Sequence, residues 1–357
     1  MPGAAGSAPA LAVVLGSAVF VAPLAIWIAY SRRIASPGGL TAFVEAAAGR
    51  PVALVQGWIW IVSYFLYLPY TVTYVVYDVL PVLFPGIGPD RGLLELAIPA
   101  AIVALVLAPV ARLLAGFVVL AAVQLALLLV LAAVALAHAG APAAGFSRAV
   151  SFDPTSRATA AVALLYVCAS LPIFLGGEVR GGGRTVRWTL GASFALVAAY
   201  LVLAVLPLAG VAPELRFADL PGVSIAQSYA GRPLALAVGL GAAASVTALI
   251  VAEYLALSRL LHYLHGLAIR TALLWIAVPF VVADALSLID PDAFYDELLQ
   301  PSLAALFASQ LFVVVLYPLY RRRVGERVGA VALAGSGVAA ALMGWGLYMA
   351  VTTSSGT

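Results

Sequence analysis

One apolar stretch of the chain combines polar side chains, a proline and several glycines, the residue types from which a binding position inside a membrane is built. Residues 164–188 read LLYVCASLPIFLGGEVRGGGRTVRW. Backbone at membrane depth must find its hydrogen bonds within the protein, so a broken helix there lines a cavity. Pro172 removes a backbone donor and disfavours helix at the preceding residue, which predicts free carbonyls nearby; a plain proline kink is the alternative. The candidate binding residues of this segment are Tyr166, Val167, Cys168, Ala169 and Ser170.

A second set of polar and aromatic side chains recurs at helical spacing in an earlier apolar stretch. Steps of about 3.6 residues place them on one stripe of a helix. The stripe consists of Trp60, Tyr64, Tyr67, Thr71, Tyr74 and Asp78. We predict that Tyr64, Tyr67 and Thr71 contribute to the same binding position. Tyrosine and tryptophan also fill packed helix bundles and interfacial belts, and this alternative stays open.

Three polar residues deep in apolar stretches are candidates for coupling, because ionisable groups within a membrane are costly and tend to be functional. Gln124 lies near the middle of its stretch, but a neutral amide cannot exchange a proton, and an interhelical hydrogen bond is its alternative role. Glu253 lies within reach of Arg259 on the same helix, so an internal ion pair is the alternative there. Asp284 lies nearer the end of its stretch.

Glu178 is a candidate gating residue at the end of the broken stretch. It is followed by Arg180, Arg184 and Arg187. We expect Glu178 to form an ion-pair network with these arginines that steadies the junction. An ordinary solvated loop is the alternative.

Composition places the chain among membrane proteins. Hydrophobic residues make up 64% of its 357 residues and charged residues 9%, and the mean hydropathy is +1.11. Soluble globular domains carry about 25% charged residues. The apolar stretches lack the alternation of a membrane β-barrel, so we predict an all-α, polytopic helical membrane protein with a single transmembrane domain over residues 1–357.

About ten stretches reach the roughly 20 apolar residues that a membrane span needs. The predicted spans are residues 10–30, 54–80, 92–110, 113–138, 158–176, 188–210, 233–258, 271–289, 299–319 and 328–351.

The basic residues predict which ends of these spans face the cytoplasm. Arginine and lysine are enriched in short cytoplasmic loops. With the N-terminus outside, 13 of the 18 basic residues, all arginines, fall in inner loops, and four acidic residues cluster in one outer loop over residues 290–297. We therefore predict a multi-pass protein of the cell membrane with both termini outside. The arginines form no surface run with interleaved aromatics, so the net charge of +3 gives no indication of a nucleic-acid partner.

Three groups of residues resemble motifs of the amino-acid permeases of the amino acid-polyamine-organocation (APC) superfamily. The first lies between that family's second and third helices, the second between its sixth and seventh, and the third at the end of its eighth. In this chain they are residues 36–44 (SPGGLTAFV) with 49–51 (GRP) and 57–58 (GW), residues 177–180 (GEVR) with 184–187 (RTVR), and residues 256–261 (ALSRLL).

The resemblance implies a LeuT-type inverted-repeat fold with one element missing at the N-terminus. In the family, an unwound Gly-Ser-Gly segment of the first helix helps to hold the substrate carboxylate, whereas this chain starts at what aligns with the second helix. Residues 15–20 (LGSAVF) do resemble the first-helix motif, but too few residues separate them from Ser36 for another span. We expect a misplaced start, a shortened protein or a partner subunit that supplies the helix.

The resemblance further implies a secondary active transporter of amino acids or related small amines, working by alternating access and coupled to protons or to exchange. The alternative is a non-transporting subunit or truncated homologue that packs with a partner. An enzyme is not expected, since no catalytic set converges at midplane depth. ATP-driven transport is disfavoured because the chain has no GxxxxGK[ST] loop. No cofactor or metal site is predicted, as His262 and His265 have no further ligands near them in the sequence.

Overall fold

The computed structural model describes residues 9–140, 146 and 152–352. Within these ranges the chain is helical and has no strand, and nine helices are long and apolar enough to cross a membrane. This agrees with the prediction of an all-α polytopic membrane protein.

Thirteen helices, labelled in chain order, organise the described residues. They are α1 Pro9–Ser31, α2 Gly39–Ala48, α3 Arg50–Leu83, α4 Arg91–Val106, α5 Val110–Ala139, α6 Phe152–Leu165, α7 Gly182–Val205, α8 Pro221–Ala230, α9 Arg232–His265, α10 Ile269–Ser287, α11 Pro291–Val315, α12 Tyr317–Arg323 and α13 Ala330–Thr352. A 3₁₀ helix, Tyr166–Leu175, continues α6 directly. A π-helical segment, Tyr74–Val79, interrupts α3.

Helix α4 is shorter than the span predicted over residues 92–110. It ends at Val106 because Pro109, in an extended conformation, stands just before α5 and cannot continue a helix. At 1.5 Å per residue, its 16 residues extend about 24 Å. Nine helices rather than ten therefore reach spanning length among the described residues.

Helix α4 nevertheless runs from one end of the bundle to the other. Leu83, at the end of α3, lies against Gly239 near the start of α9, and Ala139, at the end of α5, lies against Gly210. His138 also stacks on Tyr229 of α8, with ring centroids 4.8 Å apart, immediately before α9. Since α3 and α5 both finish near the start of α9, the intervening α4 must return the chain to the opposite end.

A structural unit occurs twice in the chain and was not recognised from the sequence. Helices α2 and α8 are each 10 residues long, and helices α3 and α9, which follow them, are each 34 residues long. A glycine with positive φ joins each pair, 92° at Gly49 and 82° at Gly231, a conformation that favours glycine. Each glycine is followed by Arg-Pro at the start of the long helix.

The two long helices of this unit are antiparallel. At the start of α3, Arg50 donates hydrogen bonds to the carbonyls of Tyr263 and Leu264 at the end of α9. At the other end, Leu83 of α3 lies against Gly239 near the start of α9. The beginning of each long helix thus lies beside the end of the other.

The buried core runs through the middle of the bundle, where α3, α11 and α13 pack together beside α1 and α9. Its largest fully buried side chains are aromatic and include Trp27, Trp60 and Tyr254. Helices α5 and α7 lie at the periphery, since only 6% of the residues in the apolar window of each are buried. Their exposed surface is apolar and suits contact with lipid.

Side-chain ion pairs gather at one end of the bundle. Four such pairs at this end are Arg33–Glu326, Arg50–Glu45, Arg259–Glu178 and Arg321–Glu326. We call this the arginine-rich end; it holds the α1–α3, α6–α7, α9–α10 and α12–α13 connections. The grouping matches the loops that the arginine distribution assigns to one side of the membrane.

Candidate functional site

The stretch predicted to be a broken helix departs from α-helical geometry over ten residues. Tyr166–Leu175 forms a 3₁₀ helix with Pro172 inside it. Runs of 3₁₀ helix longer than three or four residues are uncommon, and within a longer helix they mark hinges or strain. The segment is irregular where a broken helix was predicted, but the helix is not interrupted. The backbone is wound more tightly rather than unwound, so the expected free carbonyls are replaced by i→i+3 turns.

The five candidate residues of this segment have different surroundings. Val167 and Ser170 are fully buried. The Ser170 hydroxyl accepts a hydrogen bond from Gln310 Nε2 of α11 at 3.3 Å. The Tyr166 hydroxyl lies 2.8 Å from the hydroxyl of Ser17 on α1. Cys168 is partly exposed, as is the alanine that follows it.

Helix α3 brings Tyr64 to this segment. The ring of Trp60 lies between those of Tyr64 and Phe174, with centroids 4.2 and 4.3 Å away. Tyr64 interacts electrostatically with Cys168 and Glu253 and lies beside Ser170. Tyr64 thus lies beside the 3₁₀ segment, and its contribution to a binding position stays a prediction.

The other two predicted residues of the stripe lie farther along α3. The Thr71 hydroxyl donates to the carbonyl of Tyr67 at 2.6 Å, within its own helix. The Tyr67 ring lies 5.4 Å from that of Tyr70. Thr71 is buried, whereas Asp78, at the end of the stripe, is exposed. The stripe thus runs from the core to the end of the bundle, and only its first half meets the 3₁₀ segment.

Buried polar atoms without partners converge at this position. We call Tyr64, Cys168, Ser170, Glu253 and Gln310 the central polar cluster. Its unpartnered atoms among the described residues are both Glu253 carboxylate oxygens and the Gln310 carbonyl oxygen, and the Tyr64 hydroxyl lies beside Ser170 and Cys168. Buried polar groups in proteins are nearly always hydrogen-bonded, so such a group of orphaned atoms needs an explanation. A small ligand with several donors would satisfy them.

Glu253 is not neutralised by the ion pair that the sequence left open. Arg259 instead binds Glu178 in two hydrogen bonds, Nε to Oε1 at 2.8 Å and Nη2 to Oε2 at 3.3 Å. Glu253 itself is 0% exposed. A buried carboxylate without a cationic partner is costly, which makes Glu253 the most informative charge in the cluster.

Gln310 was missed by the sequence analysis. It lies in the span predicted over residues 299–319 and is fully buried. The adjacent pair Ser309-Gln310 in an otherwise apolar stretch was the available signal. Ser309 differs in its bonding, because its hydroxyl returns to the carbonyl of Leu306 in its own helix.

A cavity of about 330 Å³ adjoins the other side of the 3₁₀ segment. Such a volume is at the small end of the range for ligand pockets. Its walls come from α5, the 3₁₀ helix, α7 and α9 and are largely apolar. They include Pro172 and two threonines, Thr185 and Thr189. The cavity also reaches Ala252, the neighbour of Glu253. A wider cleft of about 530 Å³ lies at the opposite end of the bundle, between the end of α3 and α8.

The three motifs that carry the family resemblance meet at the arginine-rich end. Gly177 abuts Pro37, and Gly183 abuts the carbonyl of Ser31. Arg259, from the third motif, reaches Glu178, from the second. Contacts between segments far apart in sequence thus close this end of the bundle.

The predicted partners of Glu178 were wrong. Instead of Arg180, Arg184 or Arg187, Glu178 binds Arg259, which is 1% exposed. Arg187 donates to the carbonyl of Gly183. Arginines close to Glu178 in the sequence were the expected partners, but the fold brings Arg259, near the end of α9, against Glu178.

A second ion pair at this end ties α2 to α3 and α9. Glu45 accepts hydrogen bonds from Arg50 at 2.8 Å and from the Tyr263 hydroxyl at 2.7 Å. Partial burial raises the pKa of the Glu45 carboxyl, but the hydrogen bonds from Arg50 and Tyr263 and the Arg50 charge outweigh burial and lower the pKa below its ordinary value. Glu45 is therefore held in its charged form.

The remaining two candidates lie away from the central polar cluster. The Gln124 side chain of α5 packs against Gly241 of α9, and its carbonyl oxygen is buried without a partner among the described residues. Asp284 of α10 is fully buried and interacts electrostatically with Glu95 of α4. Glu95 lies within the span predicted over residues 92–110 and was not recognised as a candidate from the sequence.

No protein-family model matches this chain, and no curated protein matches it. The resemblance to amino-acid permeases therefore depends on the three motifs. Their mutual contacts give these motifs a common structural role at the arginine-rich end.

Proposed function

We propose that the chain is a secondary active transporter that moves an amino acid or a related small amine across the cell membrane. The observation that carries this proposal is the central polar cluster beside the 3₁₀ segment. Orphaned polar atoms there offer one amide oxygen and a carboxylate to a ligand, next to the Tyr64 hydroxyl. Irregular helix in the interior of a membrane bundle is typical of substrate sites in transporters.

The chemistry of the cluster favours an amine. Glu253 is buried without a cationic partner among the described residues. An ammonium group has three donors and a positive charge, so it would satisfy the carboxylate and the neighbouring oxygens together. A proton on Glu253 would neutralise it when the site is empty, and this favours coupling to protons or to exchange.

The repeated unit supports alternating access. Antiparallel repeats allow one half of a carrier to rock against the other around a central site. Helices α3 and α9 supply Tyr64 and Glu253 from the two copies of the unit. The LeuT-type arrangement implied by the resemblance agrees with this pairing, and the contacts around Glu178 and Glu45 serve as the gate at the arginine-rich end.

Uptake into proteoliposomes tests the proposal. We expect saturable uptake of one or more labelled amino acids or amines, measured with and without a pH gradient. The Ser170→Ala variant should reduce uptake at least about tenfold, in line with loss of a buried hydrogen bond of about 1.4 kcal/mol or more. The matched control is Ser309→Ala, since this equally buried serine bonds only its own helix turn. Uptake that is absent from the full-length protein, or equal in both variants, would contradict the proposal.

The second candidate function is a non-transporting subunit that uses the same scaffold to pack with a partner. Tight closure of the cluster favours it, because Trp60, Ser170 and Phe174 are fully buried. Purification in a mild detergent distinguishes the two. A stoichiometric partner supports the subunit, and a chain that transports when reconstituted alone supports the transporter.

A further inference from the structure

Two buried acids lie near each other and away from the central polar cluster, on either side of the Ser287 hydroxyl. Glu95 of α4 and Asp284 of α10 are both 0% exposed and interact electrostatically. Glu95 Oε1 accepts hydrogen bonds from the Thr73 hydroxyl at 2.6 Å and from the Ser287 hydroxyl at 2.8 Å. The Ser287 hydroxyl also lies 2.8 Å from the carbonyl of Asp284. Three helices, α3, α4 and α10, thus meet at one acid pair.

The remaining carboxyl oxygens of the pair have no partner. These atoms are Glu95 Oε2 and both side-chain oxygens of Asp284. None of them has a hydrogen-bond partner within residues 9–140, 146 and 152–352. Three acceptors without a donor in a buried site are unusual. They show that a donor is needed where the two acids meet.

Charged and titratable groups around the pair do not supply that donor. On α3, Tyr77 faces Glu95 and carries the Arg91 guanidinium over its ring, 5.6 Å from the centroid. Asp292, at the start of α11, also acts on Tyr77 and only adds negative charge. On α9, the Tyr254 hydroxyl donates instead to the carbonyl of Leu273 at 2.6 Å.

Electrostatics and hydrogen-bond counting both indicate one proton. Two like charges in a site of low dielectric repel strongly, and one carboxyl of such a pair holds its proton. The hydroxyls of Thr73 and Ser287 already favour charge on Glu95, because both donate to its Oε1. A proton on Asp284 turns an orphaned acceptor into a donor, and Glu95 Oε2 is the acceptor that lacks one.

The helix beside the pair is irregular. Thr73 is the last residue before the π-helical segment Tyr74–Val79 of α3. Its hydroxyl is shared between Glu95 and the carbonyl of Pro69. Single π turns within α-helices are frequent at functional sites. A change in the charge of the pair therefore acts directly on a segment with non-standard hydrogen bonding.

We propose that Glu95 and Asp284 form a proton-binding site in which Asp284 holds one proton and donates it to Glu95. The proton leaves when the acids lose contact with each other and regain water. As a proton site the pair is independent of any cargo. Its role in coupling rests on the proposed transport function.

Infrared spectroscopy of the purified full-length chain in lipid nanodiscs tests the proton site without a substrate. We expect the C=O stretching band of a protonated, non-hydrated carboxyl group at neutral pH in the wild type. The Asp284→Asn and Glu95→Gln variants are compared in a Glu253→Gln background, because a protonated Glu253 would give a band of its own. In that background Asp284→Asn should lose the remaining band, and Glu95→Gln should shift it by removing the acceptor. Asp292→Asn is the control, because this acid is exposed, and its band pattern should equal that of the wild type.

The outcomes separate a proton from a metal cation. A band that persists when Na⁺ replaces K⁺ in the buffer supports the proton. A band that Na⁺ removes, or one that Asp284→Asn and Glu95→Gln both leave unchanged, would overturn the proposal. Either variant suffices for this comparison if the other fails to fold.

Flux measurements then test the coupling role. In proteoliposomes, Asp284→Asn should keep exchange between internal and external substrate. Its uptake driven by a pH gradient should be at least tenfold lower than that of the wild type. Full retention of that gradient-driven uptake would refute the coupling role. A wild type with the infrared band but no flux of any kind would refute the transport proposal and leave the proton site standing.

Discussion

Buried charges in this protein fall into two groups that differ in how they are compensated. Arg259 is almost fully buried and is matched by a two-point contact with Glu178. Glu253 and Asp284 are equally buried and have no hydrogen-bond partner among the described side chains. The Arg259–Glu178 pair closes one end of the bundle, whereas Glu253 and Asp284 each need a ligand or a proton to compensate the buried carboxyl group.

Removing the acid of the closed pair should weaken the arginine-rich end. In Glu178→Gln, the buried Arg259 guanidinium loses its counter-charge, so we expect a loss of about 1–3 kcal/mol in stability. The thermal midpoint of the detergent-solubilised protein measures it. Glu326→Gln is the control, since that acid pairs with Arg33 and Arg321 at the surface and each such pair contributes roughly 0–1 kcal/mol. Equal midpoints for the two variants would show that the Glu178 contact is not structural.

Glu45 should make this end sensitive to acid. Its lowered pKa means that its stabilisation is present above the unfolded value of 4.5 and is lost as the pH falls through the folded-state pKa. The wild type should therefore melt higher than Glu45→Gln at neutral pH, and the difference should disappear in acid. Thermal midpoints across this pH range measure it.

A matched variant checks the cause of this pH dependence. Tyr263→Phe removes one of the two donors to Glu45 and should move the loss to higher pH. A difference between the wild type and Glu45→Gln that stays constant with pH would refute the explanation.

At the level of elements, the molecule combines regular helices with two irregular segments, and both irregular segments adjoin buried acids. The 3₁₀ helix Tyr166–Leu175 lies beside Glu253, and the π segment Tyr74–Val79 begins beside Glu95. Elsewhere, α2 and α8 are short helices that introduce the two longest ones. Irregular geometry is thus placed where charge is buried.

The glycine run after the 3₁₀ helix should tolerate little added volume. A Cβ at Gly183 would collide with the backbone carbonyl of Ser31. Gly183→Ala must therefore displace the start of α7 or the end of α1 and should lower the free energy of unfolding by roughly 1–3 kcal/mol. Gly191→Ala in the same helix is the control, because no atom lies within 4 Å of its added Cβ. That change should be neutral or stabilising.

Thermal midpoints of the two variants provide the comparison. We expect a clear decrease for Gly183→Ala only. A midpoint for Gly183→Ala at or above that of Gly191→Ala would show that the α1 and α7 loops are not packed together as described.

The elements were more predictable from the sequence than their contacts. Long apolar stretches were sufficient to predict the spans, and Pro172 was sufficient to predict the irregular helical segment. Both features follow from local chemistry. The early end of α4 was not predicted, since it depends on Pro109 inside an apolar stretch. The pairs Glu178–Arg259 and Glu95–Asp284 join residues far apart in the chain, and no local pattern indicates such partners. The repeat was overlooked although its two copies share the pattern AGRPxALxxG, at residues 48–57 and 230–239, because this shared pattern is short compared with the helices that contain it.

For the whole molecule, the two ends of the bundle differ in charge. Ion pairs collect at the arginine-rich end, whereas Asp78, Glu95 and Asp292 lie towards the opposite end. Helices α5 and α7 form the outer surface beside the more tightly packed centre. A membrane with a cytoplasmic preference for arginine would orient such a molecule in one direction.

Labelling from outside the cell tests this orientation. Ala212 and Ala268 are exposed residues that each precede a helix, at the opposite end and the arginine-rich end respectively. In a cysteine-free background, Ala212→Cys should react with a membrane-impermeant maleimide on intact cells. Ala268→Cys should react only after the membrane is permeabilised. The reverse pattern would place the arginine-rich end outside and refute the predicted topology.

The native chain also carries its own chemical reporter. Its single cysteine, Cys168, lies in the 3₁₀ segment next to Glu253. Alkylation requires the thiolate and access to it, so the rate at which a small reagent modifies the unmutated protein reports on both the accessibility and the ionisation of this thiol. A compound that slows this reaction would thereby be recognised as an occupant, and ligand screening could begin before any flux has been measured.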